Sequence, residues 1–193
     1  MKTKELLADS FRELVLTMPF QKISIKMITD RAGVIRPTFY NYFQDKYEVI
    51  EYLFEQDVRS HVQVMLDNGM EREAVKLMFI CFEKHLKYYR ILFDIEGQNS
   101  FEEYFGSFVQ KTYLHILEKH PMKHFSSTLI TPEITAHFNA LILTELLKVW
   151  MRHTPSVSAE EMFETYCISL RTSILDMIDY THGTEPDDTE QKR

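Results

Sequence analysis

The sequence SIKMITDRAGVIRPTFYNYFQDK spans Ser24–Lys46 and predicts two short helices joined by a tight turn. Ser24 is a suitable N-cap for the first helix, and apolar residues follow it at helical spacing. Gly33 then interrupts the pattern with a residue that tolerates a left-handed backbone. Pro37 is accepted only in the first turn of a helix, so we predict that the second helix begins there. This order of elements is typical of a helix-turn-helix, whose second helix lies in the major groove of DNA.

The stretch RAGVIRPTFYNYFQDK also resembles the DNA-binding signature of the TetR-type transcriptional regulators. The resemblance rests on the A-G-V turn, the T-F-Y-x-Y-F helix and the D-K pair that opens the next helix. It implies an all-α protein, with an N-terminal three-helix DNA-binding domain and a helical effector and dimerisation domain. The segment FNALILTELLKVWMRHTPSVSAEEM extends the resemblance to the last two helices of the family. The head variant TFYNYF further resembles the subgroup that includes the regulator of dihydroxyacetone kinase.

Resemblance and side-chain chemistry together predict the DNA contacts, most of them to the phosphate backbone. Arg36 is expected to reach a phosphate or a guanine edge, because its guanidinium suits bidentate pairing. Ile35 replaces a residue that is commonly small and polar in the family, so we expect a thymine methyl as its partner. Tyr40 and Tyr42 either contact DNA or only pack the small domain. The predicted DNA-binding set is Ser24, Lys26, Ile35, Arg36, Pro37, Thr38, Tyr40, Asn41, Tyr42 and Lys46.

The charge distribution supports a nucleic-acid partner for one end of the chain. The 193 residues carry a net charge of −7, which by itself argues against such a partner. Residues 1–47, however, hold eight Lys or Arg and five acidic residues, a net charge of +3, so the remainder carries −10. A basic head on an acidic body suits a protein that meets phosphates at one end only.

Composition and motifs exclude several other classes. Apolar residues make up 45% of the chain, enough for a buried core, and the low Gly and Pro counts favour helices. We expect a cytoplasmic protein without a membrane span, because no apolar run is long enough and no signal peptide is recognisable. Phosphate loops, metal-ligand spacings and nucleophile motifs are absent, so we predict neither an enzyme nor a resident cofactor or metal.

Helical periodicity continues along the whole chain. It predicts a first helix over residues 3–18 and a small core shared by the first three helices, formed by Phe11, Val15, Phe20, Ile25, Ile28, Val34, Phe39 and Phe43. Further helices are predicted over about 45–66, 71–90, 100–119, 131–153 and 158–182, with a connection at 91–98. The predicted domains are a DNA-binding domain at 1–47, a ligand-binding and dimerisation domain at 48–183 and a disordered tail at 184–193.

The body is rich in aromatic residues and methionine, for which two interpretations remain open. By resemblance, it holds a small effector in a cavity whose candidate lining is Met78, Phe82, His85, Tyr89, Phe101, Phe105, Phe108 and Phe138. The alternative is a filled core, which has the same pattern in sequence. Homodimerisation is expected through the helices at about 132–153 and 158–182, because both carry more apolar surface than one chain needs to bury.

The leading hypothesis is a homodimeric DNA-binding regulator that recognises a palindromic operator and responds to a small-molecule effector. We expect repression rather than activation. The alternative, motivated by the dihydroxyacetone kinase subgroup, is a regulator whose body binds a partner protein and which acts as an activator.

Overall fold

A computed structural model describes residues 2–97, 100–120, 122–123, 127–154 and 156–178. Every regular element within these ranges is helical, which confirms the predicted all-α class. The elements are α1 (Thr3–Thr17), a 3₁₀ turn (Phe20–Lys22), α2 (Ile25–Ala32), α3 (Arg36–Tyr40), α4 (Lys46–Phe54), a π-helical turn (Glu55–Arg59), α5 (Ser60–Asp67), α6 (Glu71–Lys84), α7 (Leu86–Phe93), α8 (Phe101–Lys119), α9 (Pro132–His153), α10 (Ala159–Arg171) and a second 3₁₀ turn (Ile174–Met177). The predicted tail at 184–193 lies outside the described residues.

The first three helices enclose the small core that the sequence predicts. Six of its eight predicted members are buried, and Ile25 and Val34 are partly buried against them. Phe11 meets Phe20 edge to face, with ring centroids 6.3 Å apart. Such pairs add to the free energy gained from burying apolar area, so the short helices of the head depend on aromatic packing.

The helix predicted from Asp45 to about Leu66 forms, but its winding changes in the middle. Asp45 caps its start by accepting hydrogen bonds from the backbone N–H groups of Tyr47 and Glu48, at 2.7 and 3.0 Å. The α-helical pattern gives way to the π-helical turn after Phe54 and then resumes as α5. We call residues 46–67, with both α-helical parts and the π turn, the bridging helix.

The prediction of one continuous helix over residues 71–90 is wrong. The backbone of His85 leaves the helical region (φ −128°, ψ 34°), so α6 ends at Lys84 and α7 begins at Leu86. Helix α7 reaches Phe93, within the segment predicted as a connection. The break turns Tyr89 back against Phe82, with ring centroids 4.4 Å apart, and this packing outweighs helical continuity.

The last helix is also shorter than predicted. It ends at Arg171, and Thr172 has an extended backbone. Ser173 then caps the second 3₁₀ turn by accepting a hydrogen bond from the backbone N–H of Leu175 at 3.2 Å. Serine favours such local bonds over helix continuation. The predicted end at His182 lies outside the described residues.

The body is built around closely packed helices and a cluster of aromatic rings. Helices α8 and α9 form the most extensive helix pair among the described elements, and α10 packs against α6. Phe54 of the bridging helix lies edge to face with four rings of α8, at centroid distances of 5.1–5.9 Å: Phe101, Tyr104, Phe105 and Phe108. Within the part of the chain described, no helix has the length and apolarity that a bilayer crossing requires.

A largely buried ion pair joins the head to the body. Arg12 of α1 donates two hydrogen bonds to the carboxylate of Asp57 in the π turn, both at 3.0 Å, and the two side chains are only 15% and 12% exposed. Tyr89 donates a further hydrogen bond to Asp57 at 2.7 Å. The ring of Tyr88 lies 5.2 Å from the Arg12 guanidinium. These contacts among Arg12, Asp57, Tyr88 and Tyr89 connect α1, the bridging helix and α7.

His85 completes this head–body cluster, with its Nε2 3.8 Å from Asp57 Oδ1. Burial lowers the pKa of His85, and the Arg12 charge lowers it further, against the opposing effect of Asp57. The imidazole is therefore a neutral neighbour of the carboxylate at neutral pH.

We predict that Asp57→Ala lowers the free energy of unfolding by about 3 kcal/mol, because it leaves a desolvated guanidinium without its partner. The matched control is Glu164→Ala, which breaks the exposed Arg72–Glu164 pair of 2.9 Å. Water screens that pair, so the control should change stability far less. Urea denaturation at one fixed chain concentration measures both variants. Similar losses for the two would contradict the role assigned to Asp57.

Candidate nucleic-acid interface

The turn between α2 and α3 has the geometry that its sequence predicts. The hydroxyl of Ser24 accepts a hydrogen bond from the Met27 N–H at 3.3 Å and so caps α2. Gly33 ends the helix with a left-handed backbone (φ 67°), which a residue with a Cβ adopts only at a cost. The Val34 N–H then bonds to the Thr29 carbonyl at 3.0 Å. These bonds set the angle at which α3 leaves the head.

Helix α3 begins one residue earlier than predicted. Arg36, not Pro37, is its first residue, and Ile35 takes the N-cap position in an extended conformation. The side chain of Ile35 makes no capping hydrogen bond. Because Ile35 is 70% exposed, the start of α3 presents an apolar side chain to solvent.

Most of the predicted DNA-binding residues are exposed on α2, α3 and the residues next to these helices. Eight of the ten are exposed, whereas Thr38 and Lys46 are partly buried. Phe39, which lies between Thr38 and Tyr40, is fully buried, so it anchors α3 while Tyr40 faces solvent. The exposed members are Ser24, Lys26, Ile35, Arg36, Pro37, Tyr40, Asn41 and Tyr42.

Two of the cations on this surface have partners in the free protein. Arg36 donates a hydrogen bond to the Tyr40 hydroxyl at 3.0 Å, one turn along α3. Lys26 pairs with Asp30 at 2.5 Å, and both side chains are well exposed. Exposed pairs of this kind contribute little to stability, so a phosphate can replace these partners at small cost.

Lys46 has a different environment. Its ammonium donates hydrogen bonds to the carbonyls of Phe20 and Ile23, at 2.8 and 3.2 Å, and lies 4.0 Å from the centre of the Phe20 ring. Burial lowers its pKa. Lys46 thus ties the start of the bridging helix to the segment that precedes α2.

The predicted effector-binding residues fall into two groups. Phe82, Tyr89, Phe101, Phe105 and Phe108 form one cluster of contacting rings, and the first four are fully buried there. Met78 is also fully buried, and His85 borders the head–body cluster. Phe138 lies apart on α9 and is 59% exposed.

Three concavities bordered by described residues of the body lie beside the buried rings rather than among them. Two, of about 230 and 260 Å³, lie between the bridging helix and α8, and a third of about 480 Å³ lies between α8 and α9. Of the predicted lining, only Phe101 and Phe108 border these spaces.

Sequence reasoning missed the charged residues that border the body's cavities and its junction with the head. Asp57 is one such residue, and Arg59 and Lys111, which border the 260 Å³ cavity, are others. A signal existed for Asp57, which follows Leu53 and Phe54 at helical spacing and so lies on the apolar stripe of its helix. Nothing comparable marks Arg59 or Lys111, because both positions are exposed.

Two family models match the chain. One, for bacterial regulatory proteins of the tetR family, matches residues 12–53, and the other, for a transcriptional regulator C-terminal region, matches residues 71–172. The chain belongs to the TetR family of transcriptional regulators. The family consists of regulators, so the expectation that this protein is not an enzyme is confirmed.

One curated relative agrees with the subgroup resemblance. The HTH-type dhaKLM operon transcriptional activator DhaS of Lactococcus lactis subsp. lactis is 30% identical over 104 residues, which cover 53% of this chain and 54% of that protein. The chain therefore spans about half the length of this curated relative.

Two solved structures share the fold of this TetR-family chain. The dihydroxyacetone kinase operon activator DhaS superposes with a TM-score of 0.68 at 20% identity, over 88% of this chain and 94% of that one. FadR of Thermus thermophilus, a TetR-family repressor in complex with lauroyl-CoA, gives a TM-score of 0.60 at 18% identity, over 95% and 99% of the two chains.

We predict that Lys46→Met lowers the free energy of unfolding by about 1–2 kcal/mol, because two charge-assisted hydrogen bonds are lost. Lys26→Met should leave stability within about 0.5 kcal/mol, since its ion pair is exposed. Chemical denaturation followed by circular dichroism measures both. Equal stability of the two variants would show that the Lys46 bonds do not hold the head together.

Proposed function

We propose that this TetR-family protein binds a palindromic DNA operator as a homodimer and represses transcription until an effector binds its body. The observation that carries the proposal is the exposed, basic surface of α2 and α3, anchored by Phe39. Two such heads, about 34–36 Å apart, would meet successive major grooves on one side of the DNA.

The proposed division of labour on this surface follows from side-chain chemistry. Arg36 suits a guanine edge, while Lys26, Ser24 and the tyrosine hydroxyls suit phosphates. Ile35 suits a thymine methyl, because it is apolar and exposed beside Arg36. Lys46 retains one unused N–H for a phosphate after its two carbonyl bonds, and so contributes to affinity mainly by positioning.

We predict that Arg36→Ala weakens binding by about 1–3 kcal/mol to a DNA fragment selected from the genome with the unaltered protein. The control is Arg31→Ala, which removes the same charge from the same head. Arg31 faces α1, where it bonds to Glu13 at 2.7 Å, so its loss should matter much less for DNA. Fluorescence anisotropy at one stated salt concentration measures both. If both variants bind as the unaltered protein does, Arg36 does not read the operator.

Homodimerisation is supported by the apolar side chains exposed on α9, α10, the second 3₁₀ turn and the residue that follows this turn. These side chains are 39–75% accessible in the single chain: Ile134, Phe138, Leu141, Ile142, Val149, Ile168, Leu170, Ile174, Leu175, Met177 and Ile178. Soluble monomers rarely expose so many neighbouring apolar residues. A second copy of the same surface would bury them in a two-fold symmetric interface.

We predict that Leu141→Asp shifts the protein from dimer to monomer, because it places a charge within the apolar face of α9. Leu141 is 49% exposed. The control is Val64→Asp on α5, which is 56% exposed and lies away from α9 and α10 in the chain. Sedimentation equilibrium gives the dimer dissociation constant of each variant. The Leu141→Asp dimer should be weaker than the Val64→Asp dimer by at least about tenfold. The same dissociation constant for both would place the interface elsewhere.

The effector and the direction of regulation form the second part of the proposal. An effector acts only if it binds the DNA-competent and DNA-incompetent states with different affinity. The concavities beside the bridging helix support a small-molecule effector, since this helix begins in the head and ends in the body. The alternative is an activator whose body binds a partner protein, which the similarity to the activator DhaS favours.

A further inference from the structure

A groove runs between the bridging helix and α8, and aromatic side chains form its floor. The cavities of about 230 and 260 Å³ are its two halves, and both border Tyr104 and Ser107. The rings of Tyr104 and Phe108 face Phe54 of the bridging helix, with centroids 5.6 and 5.1 Å away. These rings hold the two helices apart, which leaves room along the groove for a flat organic molecule.

The two halves of the groove carry opposite charges. Glu51 and Glu103 border the half nearer the head. The other half, of about 260 Å³, is bordered by Arg59, Lys111 and His115, and no acidic residue is among its described lining. This basic concavity lies in the part of the chain that carries a net charge of −10, so it is an exception to the charge of the body.

The polar groups of the basic half retain hydrogen-bonding capacity. Arg59 Nε is 3.5 Å from Glu55 Oε2, but both side chains are about half exposed, so the pair is weak. The buried Nε2 of His115 has no hydrogen-bond partner within the described ranges. Burial raises the pKa of Tyr104, so its hydroxyl stays a neutral donor at neutral pH. Buried polar atoms without partners are rare in proteins and indicate a missing ligand or water.

We propose that the basic half of this groove binds an aromatic carboxylate and is the effector site of the protein. The carboxylate lies between Arg59 and Lys111, and the aromatic part rests on the rings of Tyr104 and Phe108. This assignment rests on the proposed function, because it names the chemical class of the effector. The cavity between α8 and α9 is a poorer site, since it borders Leu141 on the surface proposed for dimerisation.

The π turn connects this groove to the head. Arg59, the last residue of the turn, borders the groove, and Asp57 of the same turn holds Arg12 of α1. π-Helical segments are frequent at functional sites, because they place side chains at angles that an α-helix does not allow. A carboxylate that draws Arg59 inward acts on the backbone that also positions Asp57. Binding in the groove and the orientation of the head are therefore mechanically coupled.

The test titrates the full-length protein with naphthoate by isothermal calorimetry in the absence of DNA. Naphthamide, of nearly the same shape but uncharged, is the matched probe, and inorganic phosphate tests for a site that takes any anion. The protein variants are the double substitution Arg59→Met with Lys111→Met and the control Lys87→Met with Arg90→Met. The control removes the same charge from exposed positions of α7. Ser107→Phe, which fills the groove without changing its charge, is a second test.

We expect naphthoate to bind the unaltered protein and the control variant equally, and to bind the groove double variant and Ser107→Phe at least about tenfold more weakly. Naphthamide should bind the unaltered protein at least about tenfold more weakly than naphthoate does. Absence of naphthoate binding, equal binding of naphthamide, equal binding of phosphate, or unchanged binding by the groove variants would each overturn the proposed site.

A DNA titration separates this inference from the proposed function. Saturating naphthoate should change the DNA affinity of the unaltered protein and leave that of the groove double variant unchanged. If naphthoate binds without changing DNA affinity, the groove is not the effector site. Failure of the probe-free protein to bind any genomic DNA fragment would instead refute the proposed function, while the calorimetry would still decide whether the groove binds the carboxylate.

Discussion

The bond between Arg12 and Asp57 is the contact on which the arrangement of head and body depends. It joins α1 to a π turn in the middle of the bridging helix, and Tyr89 brings α7 to the same carboxylate. A desolvated ion pair is a poor source of net stability, because the cost of removing both charges from water offsets most of their attraction. It is directional, however, because one guanidinium nitrogen, Arg12 Nη2, donates to both carboxylate oxygens, and Tyr89 donates to the same carboxylate. The pair therefore specifies a geometry more than it supplies energy.

A second polar contact holds the other side of the head. Lys46, at the start of the bridging helix, bonds to two carbonyls that precede α2. With Arg12 held further along the same helix, the head is attached to the bridging helix at two separate points. If the head moves with the helix as a unit, a small rotation of the helix would change the spacing of the two proposed DNA-reading surfaces in the proposed dimer. This is the mechanical requirement for regulation by an effector that never touches DNA.

The packing of the body limits where such an effector can bind. Phe82, Tyr89, Phe101 and Phe105 are buried against one another, so among the described residues a ligand could enter between these rings only if they repacked. Space remains where large rings hold the bridging helix and α8 apart. Most of the residues predicted to line an effector cavity therefore form the wall behind the groove rather than its surface.

The sequence by itself determined the helix-turn-helix, its caps and turn, the all-α class and the family, because these depend on local rules: Ser24 as a cap, Gly33 in a left-handed turn and apolar residues at helical spacing. Only the tertiary structure decided that the helix predicted over 71–90 breaks at His85, that Lys46 turns back to carbonyls more than twenty positions earlier, and that Arg12 meets Asp57. These outcomes depend on the free energy of contacts between distant segments, such as Tyr89 packing on Phe82. No local pattern encodes such contacts, because each partner alone has the sequence environment of an ordinary helical residue.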